Sequence, residues 1–134
     1  MPAEERSRQL AVAAARAAAD KKAHEIIALD VSERLVLTDV FLVASAANER
    51  QVRAVVDAID EAMHKLGAKA ARKEGVTESR WVLLDYTDVV VHVQHEEDRE
   101  FYALERLWRD CPVIELPEDL YTAAEEDDEE RRRA

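Results

Sequence analysis

Four groups of side chains in this sequence could carry chemistry: the carboxylates Asp85 and Asp88, the imidazoles His92 and His95, the hydroxyl of Ser45 and the thiol of Cys111. Asp85 and Asp88 flank a predicted turn, and two carboxylates so placed would suit the metal-binding pair of a nucleotidyl transferase. Such an enzyme also needs backbone N–H groups to cradle phosphate where a strand passes into a helix, normally on a glycine-rich loop. Here that junction reads Ala44-Ser45-Ala46-Ala47-Asn48, without a glycine, so no ATP or GTP binding is expected. His92 and His95 stand three residues apart on a predicted strand, where they point to opposite faces and form neither a metal pair nor a histidine dyad. Ser45 and Cys111 have no base near them in the sequence pattern. The residues predict no catalytic centre, no metal site and no cofactor.

Composition narrows the class further. The length, 134 residues, is that of one domain, which buries roughly two thirds of its unfolded surface and needs neither disulfides nor metal. The single cysteine, Cys111, cannot pair within the chain and reads as a small, partly buried thiol of a reducing compartment. No apolar run approaches the roughly 20 residues that span a bilayer, and Glu4 and Glu5 near the start do not fit a signal peptide. A cytoplasmic protein without membrane contact is expected.

The net charge is −11, from 19 basic and 30 acidic residues. Removing the eight acids and three arginines from Glu118 onward leaves 16 basic and 22 acidic residues, still a net −6. An acidic body repels phosphate backbones, which argues against direct DNA binding. It suits a basic protein partner, although acidity also serves solubility alone.

Periodicity places the elements that would position these residues. An alanine-rich first helix is expected from about Ala3 to Ala23, its thin apolar face carried by Leu10, Val12 and alanines. Glu25 to Val31 and Asp39 to Ala44 read as strands, though the former could continue the helix. Val52, Val55, Val56, Ile59, Met63 and Leu66 make one stripe of a second helix, with Asn48 and Gln51 as a capping box and Gly67 as the stop. A polar link follows. Trp81 to Tyr86 and Val89 to Val93 then read as strands joined by a short turn, and Glu97 to Arg109 as a helix bearing Phe101, Leu104, Leu107 and Trp108, ended by Pro112. The charged run from Glu125 to Arg133 is expected to be disordered.

Alternation puts Trp81, Leu83 and Asp85 on one face of their strand and Val82, Leu84 and Tyr86 on the other. An unpaired carboxylate in a dry core costs more than the burial gains, so the Trp81 face reads as half solvated and as a candidate protein-binding surface. The competing reading is a core tryptophan with Asp85 satisfied by backbone at the turn.

The run Trp81-Val82-Leu83-Leu84-Asp85-Tyr86-Thr87-Asp88-Val89-Val90-Val91-His92-Val93, followed by Arg99-Glu100-Phe101-Tyr102-Ala103-Leu104-Glu105-Arg106-Leu107-Trp108, resembles the C-terminal half of the ribosomal silencing factor family, also called iojap-like. Asp30, Thr38-Asp39 and Arg50-Gln51-Val52 extend the resemblance upstream, so that it covers residues 8 to 115. Thr87 departs from the family pattern, which usually has glycine there. A β-branched residue resists positive φ, so either Asp88 takes the left-handed position or the turn is of another type.

The resemblance implies a single α/β domain over residues 1–116, with a mixed sheet of about five strands and packed helices, followed by an acidic tail over 117–134. That fold would be nucleotidyl-transferase-like without the catalytic signature. It implies a non-enzymatic ribosomal silencing factor that binds the large ribosomal subunit through the fourteenth protein of the universal large-subunit series, blocks joining of the small subunit and represses translation. An assembly role on the large subunit is the alternative, a residual nucleotidyl transferase a weaker one, and a homodimer is expected. The docking surface is expected at Trp81 and Asp85, with Leu83 and Tyr86 alongside and Lys73-Glu74 on the neighbouring segment.

Overall fold

The stripe on the second helix is buried as predicted: Val52, Val55, Val56, Ile59 and Met63 are all 5% exposed or less. They lie on α2 (Glu49–Lys65) in a computed structural model that describes residues 4–102, 106, 108–118 and 120. Each such Val, Ile or Met stabilises by roughly 1.5–3 kcal/mol on burial. Leu66, expected at the end of this stripe, is instead the C-cap residue and 41% exposed. The chain turns away there because Gly67 adopts φ +79°, and the N–H groups of Gly67 and Ala68 donate back to the carbonyls of His64 and Met63, a Schellman ending that turns the C-cap side chain outward.

At the other end Asn48 caps the helix, its Oδ1 accepting the Gln51 N–H at 2.8 Å. Gln51 does not complete the expected box on the Asn48 N–H. Its Oε1 accepts the N–H of Ala47, one residue earlier, and its Nε2 donates to the carbonyls of Lys21 and Lys22. Those carbonyls follow α1 (Glu5–Asp20), so one side chain starts one helix and finishes the other. With α1 ended there, β1 (His24–Asp30) is a strand and not a continuation of the helix. Alanines at 11, 14, 15 and 18, all fully buried, bring α1 close to its neighbours.

The remaining elements are β2 (Val40–Ala46), β3 (Arg72–Glu74), β4 (Trp81–Asp85), β5 (Val89–His95), α3 (Glu96–Tyr102) and β6 (Val113–Ile114). Of the expected third-helix residues, Leu104 and Leu107 lie outside the described residues, as does the chain from 121 on. The strands form one sheet in the order β3-β4-β5-β2-β1-β6. Only β2 and β5 run parallel, joined by the crossover that contains α2, and every other neighbouring pair is antiparallel. Where five strands were expected, the described residues form six. β3 falls in the segment read as a polar link because its residues, Arg72, Lys73 and Glu74, are all charged and exposed, leaving no apolar signal. β6 is two residues long.

The two faces of the sheet are covered unequally. α1 and α2 pack over the front, on Val40, Leu42, Ala44, Val82, Leu84, Val89, Val91 and Val93. Leu116 and Leu120 join this core, so packing reaches past residue 116. On the back, Leu29, Val31 and Cys111 form a smaller cluster with Ile27, Leu35, Phe41 and Trp108. It covers the β1 and β2 end only. At the β3 and β4 end, Trp81, Leu83 and Asp85 stay partly exposed.

Candidate docking surface

β4 alternates between half-buried Trp81, Leu83 and Asp85 and buried Val82 and Leu84. The alternation predicted from sequence is therefore the observed one, and the Trp81 face is half solvated. β3 pairs antiparallel with β4, Glu74 opposite Leu83 and Arg72 opposite Asp85, which sets Glu74 and Arg72 on the same back face. Glu74, Gly75, Trp81 and Leu83 line a surface pocket of about 360 Å³. The acids here have a cation of their own: Arg72 Nε is 3.4 Å from Glu74 Oε1, and its Nη2 is 3.9 Å from Asp85 Oδ2.

Two of the expected residues stand elsewhere. Tyr86 is 6% exposed and points to the front, where its hydroxyl donates to Asp60 Oδ1 at 2.7 Å. Lys73 lies opposite Leu84, on the same front side, and donates to Asp60 Oδ2 at 2.7 Å. Burial alone would push the Asp60 carboxyl up, but the hydrogen bonds from Lys73 and Tyr86 outweigh it and hold Asp60 below its ordinary value. Burial, then the neighbouring Asp60, raise the Tyr86 phenol. Lys73, Asp60 and Tyr86 thus fasten β3 and β4 to α2 and leave the back face to other residues.

Asp85 is half-buried and satisfied. Its Oδ1 accepts the Thr87 N–H at 2.8 Å. Thr87 itself takes the positive φ, +71°, so Asp88 does not take the left-handed position and the turn is of another type, the second of the two alternatives. The N–H of Asp88 donates to the Tyr86 carbonyl across Thr87, the i→i+2 bond of a γ-turn. The Asp85 carboxylate holds the one N–H that this strained residue presents, which is how a β-branched side chain is kept where glycine is usual.

Three further residues shape the surface. Gly75 adopts φ +78°, and a Cβ built on it would lie 2.1 Å from the Trp81 carbonyl oxygen, so the backbone beside the pocket approaches β4 this closely only because this residue lacks a side chain. Arg80 precedes Trp81 and donates to Glu49 (3.2 Å), Glu97 (3.2 Å) and Asp98 (2.8 Å), tying the start of β4 to the first turns of α2 and α3. His92, on the back of β5, accepts the Trp81 indole N–H. The His95 side chain, three residues on, is engaged with the N–H of Glu97. Among the described residues, no group of three or more His, Cys, Asp or Glu side chains is placed to hold a metal ion, and no helix is long and apolar enough to cross a membrane.

The family model described as ribosomal silencing factor during starvation matches residues 4–134. The chain is 41% identical over 103 residues to ribosomal silencing factor RsfS of Bacillus subtilis, covering 77% of this chain and 87% of that one. It is 38% identical over 110 residues to RsfS of Halalkalibacterium halodurans, covering 82% and 94%. A crystal structure from Bacillus halodurans superimposes with a TM-score of 0.71 at 38% identity, covering 84% of this chain and all of that one. One from Chromobacterium violaceum gives 0.72 at 34% identity, covering 75% and 83%. The chloroplastic protein Iojap of Zea mays is 36% identical over 112 residues, covering 81% of this chain and 47% of its own.

Proposed function

The chain belongs to the ribosomal silencing factor family, and from that premise we propose that it docks through the Trp81 face on the large ribosomal subunit. The partner is a basic protein of the subunit-joining face, the fourteenth in the universal large-subunit series. Occupying that face blocks the small subunit and represses translation by steric exclusion, with no bond made or broken. The observation that carries this reading is the uncovered back of β4. Trp81 and Leu83 stay half-exposed on a rigid sheet, beside a pocket and two carboxylates, where no element of the described chain covers them. An aromatic anchor flanked by acids matches a basic partner, which the net charge of −11 also favours at long range.

The test is cosedimentation with purified large subunits, joined to a subunit-association assay. Truncating an anchor of this kind costs about 2 kcal/mol, roughly thirtyfold in affinity. Trp81→Ala is expected to lose binding on that scale while remaining folded, because its side chain lies outside the front core. Glu61→Gln is the control: Glu61 is exposed on α2 and pairs only with Lys65 among the described residues, at 3.4 Å. A folded Trp81→Ala that binds and blocks like the parent would refute the assignment.

A further inference from the structure

We propose that His92 is a positioning residue of the docking surface, accepting the Trp81 indole N–H and so fixing the ring that meets the ribosomal protein. The inference rests on the docking reading above. Trp81 Nε1 donates to His92 Nδ1 at 3.1 Å. The two residues are not directly opposed, since Trp81 faces Gln94 and His92 faces Leu83. The indole therefore leans along its strand to reach the imidazole, and their ring centres are 6.1 Å apart.

The acceptor is itself packed in place. His92 is 6% exposed, its ring meets Phe41 edge-on at 5.3 Å, and Phe41 meets Trp108 edge-on at 4.9 Å. The half-exposed anchor is in this way tied to the buried back cluster through a packed row of rings. A tryptophan on an open sheet face would otherwise sample several rotamers, and ordering one of them on binding opposes association. Holding it beforehand removes that cost.

Packing alone does not explain a histidine here. With Nδ1 as acceptor, the proton sits on Nε2, which is buried and has no hydrogen-bond partner among the described residues. An aliphatic side chain would fill the space without burying an unpaired N–H. What the imidazole adds is the acceptor, and burial, which pushes its pKa down to about 4, keeps the ring uncharged and able to accept at neutral pH. With the N–H engaged inward, the indole offers its apolar ring to the partner, which suits an aliphatic or cationic side chain lying across it.

The test uses the full chain and large ribosomal subunits from the same cells. His92→Leu keeps the approximate volume and removes the acceptor, while in His92→Asn the Oδ1 stands near the place of Nδ1. In His92→Leu the Trp81 indole N–H resonance, assigned by its loss in Trp81→Phe, is expected to move upfield and exchange faster, with affinity about tenfold lower. His92→Asn is expected to regain the resonance and most of the affinity. In a Trp81→Phe background, His92→Leu is expected to cost nothing further, because both changes break one contact. Parent-like binding by His92→Leu, or an equal loss in the Trp81→Phe background, overturns the proposal while the docking reading stands. If circular dichroism shows His92→Leu unfolded, His92→Asn decides: affinity must follow the indole resonance, retained together or lost together, and a split between them overturns the proposal. Parent-like binding by Trp81→Ala is a different result, which removes the docking reading itself.

Discussion

Replacing Gly75 by alanine is expected to loosen the β3–β4 hairpin and the docking pocket together. Two costs can be separated. At φ +78° an L side chain is strained by roughly 1–2 kcal/mol, offset in part by the smaller entropy of the unfolded chain. The new Cβ would also lie 2.1 Å from the Trp81 carbonyl oxygen and 3.1 Å from its carbon. Both atoms are backbone, so no rotamer change relieves the contact and the strands must part. Gly67→Ala is the internal control, because Gly67 has nearly the same φ, +79°, with nothing within 4 Å of its would-be Cβ. Gly67→Ala is expected to cost about 1 kcal/mol and Gly75→Ala about 2 kcal/mol or more by urea denaturation, the larger loss amounting to a fall of roughly 8 °C in Tm at this chain length. Hydrogen exchange localises the damage: the amides of Glu74 and Leu83 should exchange faster in Gly75→Ala, while those of Leu42 and Val91 in the central strands keep their relative protection. Equal destabilisation by the two alanines, with unchanged exchange at Glu74 and Leu83, would refute the reasoning.

Thr87→Gly should stabilise the protein by up to about 1 kcal/mol, since glycine relieves the positive φ while the Asp85 carboxylate still accepts the residue's N–H; a lower urea midpoint would contradict this. His92 gives stability a pH dependence of definite sign. Its folded pKa of about 4 lies below its ordinary 6.5, so the unfolded chain takes up the proton first. The contribution, at most about 3 kcal/mol, is present above pH 6.5 and lost as pH falls toward 4. Parent and His92→Leu should therefore converge in their relative pH profiles only above 6.5, and identical profiles down to pH 4.5 would exclude the effect. Self-association is expected through the Trp81 face and not through the sheet edges, because β3 consists of three charged residues and β6 is only two residues long. Sedimentation should show a dimer at tens of micromolar, on the scale where weak interfaces assemble, and its loss in Trp81→Ala. A strict monomer, or a dimer indifferent to Trp81, would contradict it.

The helices and central strands were legible because their signals are periodic and apolar. Asn48, the valines of α2 and Gly67 define a helix by cap, stripe and stop, and the run from Trp81 to Val93 defines two strands by β-branched residues and alternation. What escaped was specified by single contacts or by charge. β3 has no apolar residue, so its parity could not be assigned, and Lys73 and Glu74, neighbours in sequence, were placed together although a strand sends them to opposite faces. Tyr86 was expected alongside Trp81 for its proximity, against an alternation that already set it on the other face. Gly75, Arg72 and His92 belong to the surface yet carried no pattern. Gly75 had one available signal, for the chain has two glycines and both sit at positive φ. The Gln51 link to the end of α1 and the γ-turn at Thr87 depend on partners that sequence spacing does not reveal.

The arrangement of charge on the docking face ranks its residues. Arg72 lies between Glu74 and Asp85, and both pairs are open to solvent, so each is worth about 1 kcal/mol at most. A cation on the partner can displace Arg72 from Asp85 at little cost, and what it gains is reduced by the pair it replaces. For Trp81 the gain is of another kind, since covering its half-exposed ring removes apolar surface from water while its indole N–H stays on His92. Asp85→Asn keeps an oxygen for the Thr87 N–H and so preserves the turn, removing only the charge. Its effect on large-subunit binding should accordingly be smaller than that of Trp81→Ala, fall mainly on the association rate, and vanish at high salt, where the Trp81→Ala loss persists. A salt-independent loss for Asp85→Asn as large as that of Trp81→Ala would mean that the carboxylate is desolvated in the complex, and that Arg72 moves aside when the partner docks.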